Sequence, residues 1–420
     1  MQLVSPPFNN MPDETISFLQ HRRARTLSPP AYVLSVENGQ TTYTKQQLEW
    51  NRQGVICDQH VYEGATDLYA TAGLINCHLH WLMLGGTSVD ELLNLIENHP
   101  EEMLERALYN ANATLKVGIT SGCDKGAPTY STAPIYQGLE AARNCGALMT
   151  KTQYSPYMLV VSNSFADEWC VRVEDEEDLE RVQQQLLDAG AGIIKIVPEM
   201  DYLPEEPHYP WVFSHSLFEK ARHFAQQQGW LFSVHGKGRD AVQESIKLRV
   251  DSIEHGLQIT PDDLLAMQNN GIWLGCTIEG FECRLQYAEE QGKSLTGARY
   301  EWGKCNELVT MAANLQPDHP FTNMLFASDA GSINTPHASL RELYLLRKYG
   351  YSPEWVLEIA TRNGAKFMRK ADEIGSLDTG KMADVVYWSK NPLELSLAEW
   401  EHLSDYIVAV VSDGKLAFVK

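Results

Sequence analysis

Two histidines, His78 and His80, follow a short apolar run at residues 73–77, and their spacing could bind a metal ion. On a β-strand, residues i and i+2 project from the same face, so both imidazoles would leave the strand end together. Imidazoles held side by side in this way are ready ligands for a divalent metal. Two partly buried, hydrogen-bonded histidines would show the same spacing, so the pair alone leaves both interpretations open.

Polar side chains recur where later apolar runs end. They are Lys195 inside 192–197, His235 after 231–234, His255 after 252–254 and Asp329 after 325–328. Each has an ordinary explanation, such as a core histidine, a loop-capping aspartate or a lysine that reaches the surface. Their recurrence at successive strand ends favours a shared metal site, because the carboxyl ends of parallel barrel strands converge on one face.

Lys195 stands within the apolar run Ile193 to Val197. A charged, unpaired lysine is costly to bury, and burial lowers the pKa of the amine and makes it nucleophilic. Such an amine can react with carbon dioxide to give a carbamate, which could bridge two divalent metals about 3.5–4 Å apart. The alternative is a neutral lysine that bonds one ligand or a water molecule.

Strand-like and helix-like segments alternate through the middle of the chain. The predicted strands are 70–76, 118–123, 147–153, 193–197, 230–234, 251–254, 272–277 and 323–328, and helical stretches include 174–189, 216–228, 240–248 and 261–269. This alternation predicts an α/β fold, a (β/α)8 TIM barrel over residues 67–371. A doubly wound open sheet is the rival, but no glycine-rich phosphate loop follows the first strand.

The two ends of the chain read differently from the middle. Residues 31–66 and 372–420 hold short β-like pieces around the turn pairs Asn38-Gly39 and Asp413-Gly414, and together they predict a small β-sandwich domain. Residues 1–30, with two Pro-Pro pairs, are predicted to form an N-terminal arm.

Composition excludes some classes of partner. The formal net charge is −21, which argues against nucleic acid and against an anionic membrane surface. No run of 18 apolar residues predicts a membrane span, and no signal peptide is readable. The eight cysteines are scattered, which predicts reduced thiols in the cytoplasm. We expect a small-molecule substrate and a homo-oligomer.

With these motifs in place, the chain resembles the metal-dependent amidohydrolase superfamily from about Ala70 to the C-terminus. The matching pieces are 73–80, 194–196, 234–236, 252–256, 328–331, 360–365, 375–384 and 391–394. Within that superfamily it is most similar to the branch of prolidase-like and arginine carboxypeptidase-like dipeptidases, imidazolonepropionase-related proteins and ochratoxinase-like amidases.

The resemblance implies a ligand set and a reaction. His78, His80 and Asp329 would hold the more buried metal, and His235 and His255 the more exposed one. Carboxylated Lys195 and a hydroxide would bridge two divalent ions, with zinc as the default and cobalt, manganese or iron as alternatives. The implied activity is hydrolysis of an amide-type C–N bond in an N-acyl amino acid, a dipeptide, or a related amide or carbamate. The bridging hydroxide would be the nucleophile, and catalytic Asp329 would shuttle its proton to the leaving nitrogen.

Other functions remain open at this stage. A nucleobase-type deaminase with a mononuclear centre is one, although His235 is followed by Gly236-Lys237-Gly238 and the glutamate usual in such deaminases is missing. A non-catalytic assembly or binding protein on the same fold is another, and hydrolysis of lactones or carbamates is a third.

Specificity should come from the loops at the strand ends. The predicted substrate-binding residues are Trp81, Tyr154, Tyr157, Tyr209 and His337, with Asp124, Tyr202, Glu279 and Arg284 as further candidates. The polar stretch 279–302 is interpreted as a lid over the site or as a surface helix pair at an oligomer interface.

Overall fold

The fold is taken from a computed structural model, which describes residues 25–420 except 84, 86, 87, 148, 149, 165, 167–169, 201–207, 317 and 318. Most of the predicted N-terminal arm (1–30) and the candidate Tyr202 lie outside the described residues. Among the described helices, none is long and apolar enough to cross a membrane.

The described β-strands are numbered in chain order. They are β1 (Arg25–Leu27), β2 (Ala31–Glu37), β3 (Gln40–Asn51), β4 (Ile56–Val61), β5 (Tyr69–Ala72), β6 (Leu74–Leu79), β7 (Ile119–Asp124), β8 (Lys151–Tyr154), β9 (Met158–Val160), β10 (Val171–Arg172), β11 (Ile193–Ile196), β12 (Leu231–Gly236), β13 (Ser252–His255), β14 (Trp273–Gly275), β15 (Val385–Trp388), β16 (Ile407–Ser412) and β17 (Lys415–Val419).

The described α-helices are numbered in the same way. They are α1 (Val89–Asn98), α2 (Pro100–Ala113), α3 (Ala133–Asn144), α4 (Glu176–Asp188), α5 (His215–Gln228), α6 (Arg239–Lys247), α7 (Pro261–Asn270), α8 (Ile278–Glu290), α9 (Thr296–Ala313), α10 (Arg341–Lys348), α11 (Pro353–Glu358), α12 (Gly364–Phe367) and α13 (Leu397–Trp400). Helix α7 shows why such segments begin where they do: Thr260 and Asp263 form a reciprocal capping box around Pro261 in the first turn.

Parallel strands separated by helices make up the middle of the chain. One sheet runs β10-β9-β11-β12-β13-β14 and another runs β6-β7-β8, and every pair within them is parallel. Parallel pairing requires crossover connections, which the intervening helices supply. The predicted mixed α/β fold is confirmed, whereas closure of these strands into an eight-stranded barrel stays a prediction.

The predicted eighth strand, 323–328, is not a regular strand. The segment nevertheless lies between two others, because Leu325 N donates to Leu274 O at 2.9 Å and Cys77 N donates to Phe326 O at 2.7 Å. Isolated bridges pair Met324 with Leu274 and Ala330 with Leu79, both in parallel. The segment thus runs beside β14 and β6 without a continuous ladder.

Strands from both ends of the chain share one eight-stranded sheet, ordered β1-β3-β2-β5-β15-β16-β17 with β4 paired to β3. Trp50 Nε1 donates to Gly414 O at 2.9 Å and so ties the two ends together. A sandwich of two sheets stays a prediction.

The predicted first barrel strand, 70–76, is divided between two sheets. Residues up to Ala72 belong to β5, which pairs with β2 and β15, and residues from Leu74 belong to β6. Gly73 stands at the division, where a Cβ atom would clash with Thr120 Oγ1, so the backbone passes close to β7. Apolar periodicity runs through this break because both halves are buried.

Candidate metal centre

All six predicted metal ligands line one cavity of about 150 Å³ at the carboxyl ends of the parallel strands. The lining residues are His78, His80, Met83, Met158, Lys195, His235, Lys237, His255, Thr277, Gly280, Phe281, Arg284, Asp329, Ser332 and Ile333. Residues from distant parts of the chain therefore meet where parallel strands end, as we expected from the sequence.

Three of these residues present their ligand atoms to a common point. Asp329 Oδ1 lies 3.1 Å from His80 Nε2 and 3.4 Å from His78 Nε2. One ligand atom from each residue falls within 4.8 Å of the others. Two imidazole nitrogens and a carboxylate oxygen at such spacing suit a divalent metal ion.

Each of these two histidines is oriented by a partner on its other ring nitrogen. His78 Nδ1 donates to Glu254 Oε2 at 2.8 Å, and His80 Nδ1 donates to the carbonyl of Gly126 at 2.6 Å. Because Nδ1 carries the proton in both rings, each Nε2 keeps its lone pair for a metal. The outer contacts therefore match the protonation that metal binding needs.

Glu254, which orients His78, is itself part of a buried ion pair. Lys125 Nζ lies 3.1 Å from Glu254 Oε1, and both side chains are fully buried. Lys125 also donates to Ser233 Oγ at 2.8 Å, and Ser252 Oγ donates to Glu254 Oε1 at 2.5 Å. Glu254 thus connects His78 to a group of buried polar side chains formed by Lys125, Ser233 and Ser252.

Two further histidines stand next to the first group. The His235 and His255 rings are 4.3 Å apart, and His255 lies 5.4 Å from His78 between ring centroids. His255 Nδ1 lies 2.8 Å from Thr277 Oγ1, and His235 Nε2 lies 3.7 Å from Glu199 Oε1. These two imidazoles therefore lie directly beside the group formed by His78, His80 and Asp329.

Lys195 points into the same cavity from β11. It is almost completely buried, and its amine has no hydrogen-bond partner among the described residues. Burial lowers the pKa of Lys195 to about 8, with the charge of Lys125 adding to the effect against the attraction of Glu254. A substantial part of this amine is therefore neutral near pH 8.

The protonation states fit a metal. Burial lowers the pKa of His78 to about 4 and holds the pKa values of His235 and His255 well below the usual range, so these imidazoles are neutral at pH 7. Burial opposes ionisation of Asp329, but His78 and His80 outweigh it and lower the pKa of that carboxyl. Neutral imidazoles and an ionised carboxylate are the forms that bind divalent cations.

Backbone geometry at the site departs from regular strand. His255 and Asp329 adopt left-handed φ values of 75° and 60°. Asn76 joins the two neighbouring segments, because its Nδ2 donates to Ser328 Oγ at 2.8 Å and its Oδ1 accepts from His78 N at 3.2 Å. Left-handed backbone conformations such as those of His255 and Asp329 cost about 1–3 kcal/mol each and concentrate at functional sites.

The five predicted substrate-binding residues are not among those that line this cavity. They are Trp81, Tyr154, Tyr157, Tyr209 and His337. Trp81 stacks on His337 at 5.6 Å, and Tyr154 donates to the carbonyl of Ala189. Tyr209 donates to Glu301 Oε1 at 3.1 Å. All five are buried or half-buried packing partners here, and a contact with substrate stays a prediction.

Of the further candidates, Asp124 and Glu279 have structural contacts, and Arg284 lines the cavity. Asp124 accepts the backbone N–H groups of Trp81 and Gly126, and Glu279 accepts from Ser339 Oγ, so both carboxyls hold loops in place. Arg284 lines the cavity from helix α8, which with α9 occupies the stretch interpreted as a lid or helix pair.

Several residues at the site were missed from the sequence. They are Asn76, Lys125, Glu199, Lys237, Glu254 and Glu301. Lys125 and Glu199 each follow the end of a strand, which is the same pattern that pointed to the metal ligands. Glu301 lies on α9 and carries no such pattern.

The comparisons with known proteins agree with this fold. The amidohydrolase family matches residues 69–417. Imidazolonepropionase of Erwinia tasmaniensis is 40% identical over 75 residues, a match that covers 17% of this chain and only 18% of that protein. A Xaa-Pro dipeptidase with bound methionine has a similar structure, with a TM-score of 0.78 and 20% identity, over 94% of this chain and all of that one. The ochratoxinase of A. niger gives a TM-score of 0.75 and 17% identity, over 94% of this chain and 96% of that one.

Proposed function

Because the chain belongs to the amidohydrolase family, it is a hydrolase of carbon–nitrogen bonds, and we propose that it cleaves an amide bond in a small molecule with the help of two divalent metal ions. The observation that carries the proposal is the convergence on a single cavity of four histidines, one aspartate and one lysine whose amine has no hydrogen-bond partner among the described residues. We propose further that the parallel strands form a closed (β/α)8 barrel with this cavity at its carboxyl end.

In this proposal the ligands divide into two groups. His78, His80 and Asp329 would hold one ion, and His235 and His255 would hold the other, with carboxylated Lys195 shared between them. Zinc suits nitrogen and oxygen ligands of this kind. When bound, the ions would supply an activated water at neutral pH and polarise the scissile carbonyl.

Asp329 is the candidate for moving the proton. Its Oδ1 faces the histidines, and Gly280 leaves open the space beside Oδ2, where a Cβ atom on residue 280 would lie 3.3 Å away. Asp329 would take a proton from the attacking water and pass it to the leaving nitrogen. This places both proton transfers on one carboxylate that lines the cavity.

Lys195 would act as a ligand after reaction with carbon dioxide. The neutral amine forms a bond from Nζ to the carbon of CO2 and releases one proton, which leaves an anionic carbamate. Its burial and its lack of a hydrogen-bond partner among the described residues support this step, since an amine in that setting is not held in another contact.

The substrate class follows from similar proteins and from the cavity. Structures similar to this one include a dipeptidase and an ochratoxinase, which supports an amide substrate. The cavity of about 150 Å³ suits a small molecule. We propose N-acyl amino acids, dipeptides or related amides and carbamates. The eight cysteines form no disulfide, which supports a reducing compartment such as the cytoplasm.

The test is metal analysis of purified protein from cells grown with and without added bicarbonate. We expect about two metal ions per chain, fewer in Lys195→Ala, and no change in Lys247→Ala, a control at an exposed lysine. One ion per chain, unchanged in Lys195→Ala, would contradict the carbamate bridge and favour a mononuclear centre. Absence of bound metal from wild-type protein refolded with zinc would favour the non-catalytic alternative.

A further inference from the structure

Beside the predicted ligands, two cationic side chains line the cavity and have no part in the proposed chemistry. Lys237 follows His235 by two residues, and Arg284 lies on helix α8. Gly280 and Arg284 are four residues apart, so they share the helix face that forms the cavity wall. Both cations therefore stand where a substrate would enter.

A single buried carboxylate joins these cations. Glu301 Oε1 lies 2.9 Å from Lys237 Nζ, and Glu301 Oε2 lies 3.2 Å from Arg284 Nε. We name Lys237, Arg284 and Glu301 the mouth cluster. Because two cations share one carboxylate, the mouth cluster keeps an excess of one positive charge.

The exposure of the three side chains differs. The Arg284 side chain is 31% exposed, whereas those of Lys237 and Glu301 are 6% and 1% exposed. Arg284 can therefore be reached from solvent while the other two stay beneath it. Arginine recognises carboxylates through the paired N–H groups of its planar guanidinium, and Arg284 is the more exposed of the two cations.

The surroundings strengthen the effect of this charge. Met83, Met158, Phe281 and Ile333 contribute apolar surface to the same wall. A charge excess beside apolar walls is less screened than one in open water, so it attracts an anion more strongly. This local excess stands out in a chain whose net charge is −21.

We propose that the mouth cluster binds a carboxylate of the substrate and so selects amides that carry a free carboxylate over neutral amides. The inference rests on the proposed function, because it concerns the substrate of the same cavity. Arg284 would contact the carboxylate, while Glu301, which pairs with both cations, would balance only one of their two charges. The apolar wall would contact the body of the substrate.

The test compares paired substrates that differ only in charge. A panel of N-acetyl amino acids and the matching N-acetyl amino acid carboxamides is incubated with metal-loaded protein, and acetate release gives kcat and KM. We expect the acids to be preferred by about 10–100-fold in kcat/KM, the range of a charge-assisted hydrogen bond. Arg284→Gln should remove most of this preference through KM for the acids, and Arg284→Lys should retain part of it.

A matched control is available on the next helix. Arg341 is 29% exposed, pairs with Glu282 on α8 and does not line the cavity. Arg341→Gln should leave the preference for acids unchanged. Glu301→Gln should have the opposite effect to Arg284→Gln and lower KM for the acids, because both cations then lack their shared counter-charge.

Binding separates this inference from the proposed function. Calorimetry with hexanoate and 1-hexanol needs no hydrolysis, and we expect hexanoate to bind about 10–100-fold more weakly to Arg284→Gln while 1-hexanol is unaffected. If no amide is cleaved but this difference is found, the carboxylate site stands and the proposed function fails. If amides are cleaved but Arg284→Gln changes acids and carboxamides equally, the mouth cluster only fastens α8 and α9, and the inference is overturned.

Discussion

Replacement of Lys125 by methionine should lower both the stability of the fold and the metal affinity of the candidate centre, although Lys125 is not a predicted ligand. The substitution removes the cation 3.1 Å from Glu254 Oε1 and leaves a fully buried carboxylate facing His78, Ser252 and an apolar side chain. Burial opposes ionisation of Glu254, but Lys125 and His78 outweigh it and hold the pKa of Glu254 well below its usual range. Without Lys125 that balance tips toward a protonated Glu254.

The magnitude can be worked from the geometry. At 3.1 Å and an effective dielectric constant of ~20, the attraction of the two charges is about 5 kcal/mol. Removing one partner of a buried pair typically costs about 3–5 kcal/mol of stability, which agrees with that value. A protonated Glu254 would also accept less well from His78 Nδ1, and loss of such an outer partner lowers metal affinity about 10–100-fold.

Denaturant unfolding and chelator competition measure the two effects. The double variant Lys125→Met/Glu254→Gln should recover much of the lost stability, because no unpaired charge is left buried and the glutamine oxygen can still accept from His78 Nδ1. The stability deficit of Lys125→Met should also shrink as pH falls, since Glu254 can then take a proton. Equal stability and equal metal affinity in Lys125→Met and wild type would refute the reasoning, as would strictly additive effects in the double variant.

Two further predictions concern neighbouring residues. Thr277→Val removes the hydroxyl 2.8 Å from His255 Nδ1, so metal affinity measured by chelator competition should fall about 10–100-fold, and an unchanged affinity would contradict the positioning role. Burial raises the pKa of Glu279 from 4.5 to about 7, so the folded state holds this proton more tightly and stability falls as pH rises from 4.5 to 7, by about 3 kcal/mol. Unfolding midpoints at pH 5 and pH 8 should therefore differ less in Glu279→Gln than in wild type, and an equal difference would count against a buried, protonated Glu279.

The strands and the residues that line the cavity could be predicted from the sequence because both depend on local pattern. Apolar runs placed β7, β11, β12 and β13 within a few residues, and the polar residues in or after several of the predicted strands gave the predicted ligands. Parallel topology then brings strand ends together whatever the loops do. That is why six residues from distant segments could be expected in one cavity.

The cavity wall could not be read in the same way. Aromatic residues near strand ends were chosen by type, yet Trp81 and Tyr154 pack against His337 and Tyr136. The wall comes instead from helix α8, whose orientation is set by tertiary packing against α9 and α10. Glu342 on α10, for example, accepts the backbone N–H groups of Ile278 and Glu279 at the start of α8. No periodicity within α8 specifies that contact.

Alternation of side chains along a strand explains why His78 and His80 face the same way, but it does not explain the placement of Glu254 and His255. Glu254 and His255 are consecutive, so a regular strand would point them to opposite faces. Both nevertheless meet His78, since Glu254 Oε2 lies 2.8 Å from His78 Nδ1 and the rings of His255 and His78 are 5.4 Å apart. The left-handed backbone at His255, with φ of 75°, turns the second side chain back toward the cavity. One strained residue at a strand end thus lets consecutive residues supply a predicted metal ligand and the carboxylate that orients another, which a period of two residues cannot predict.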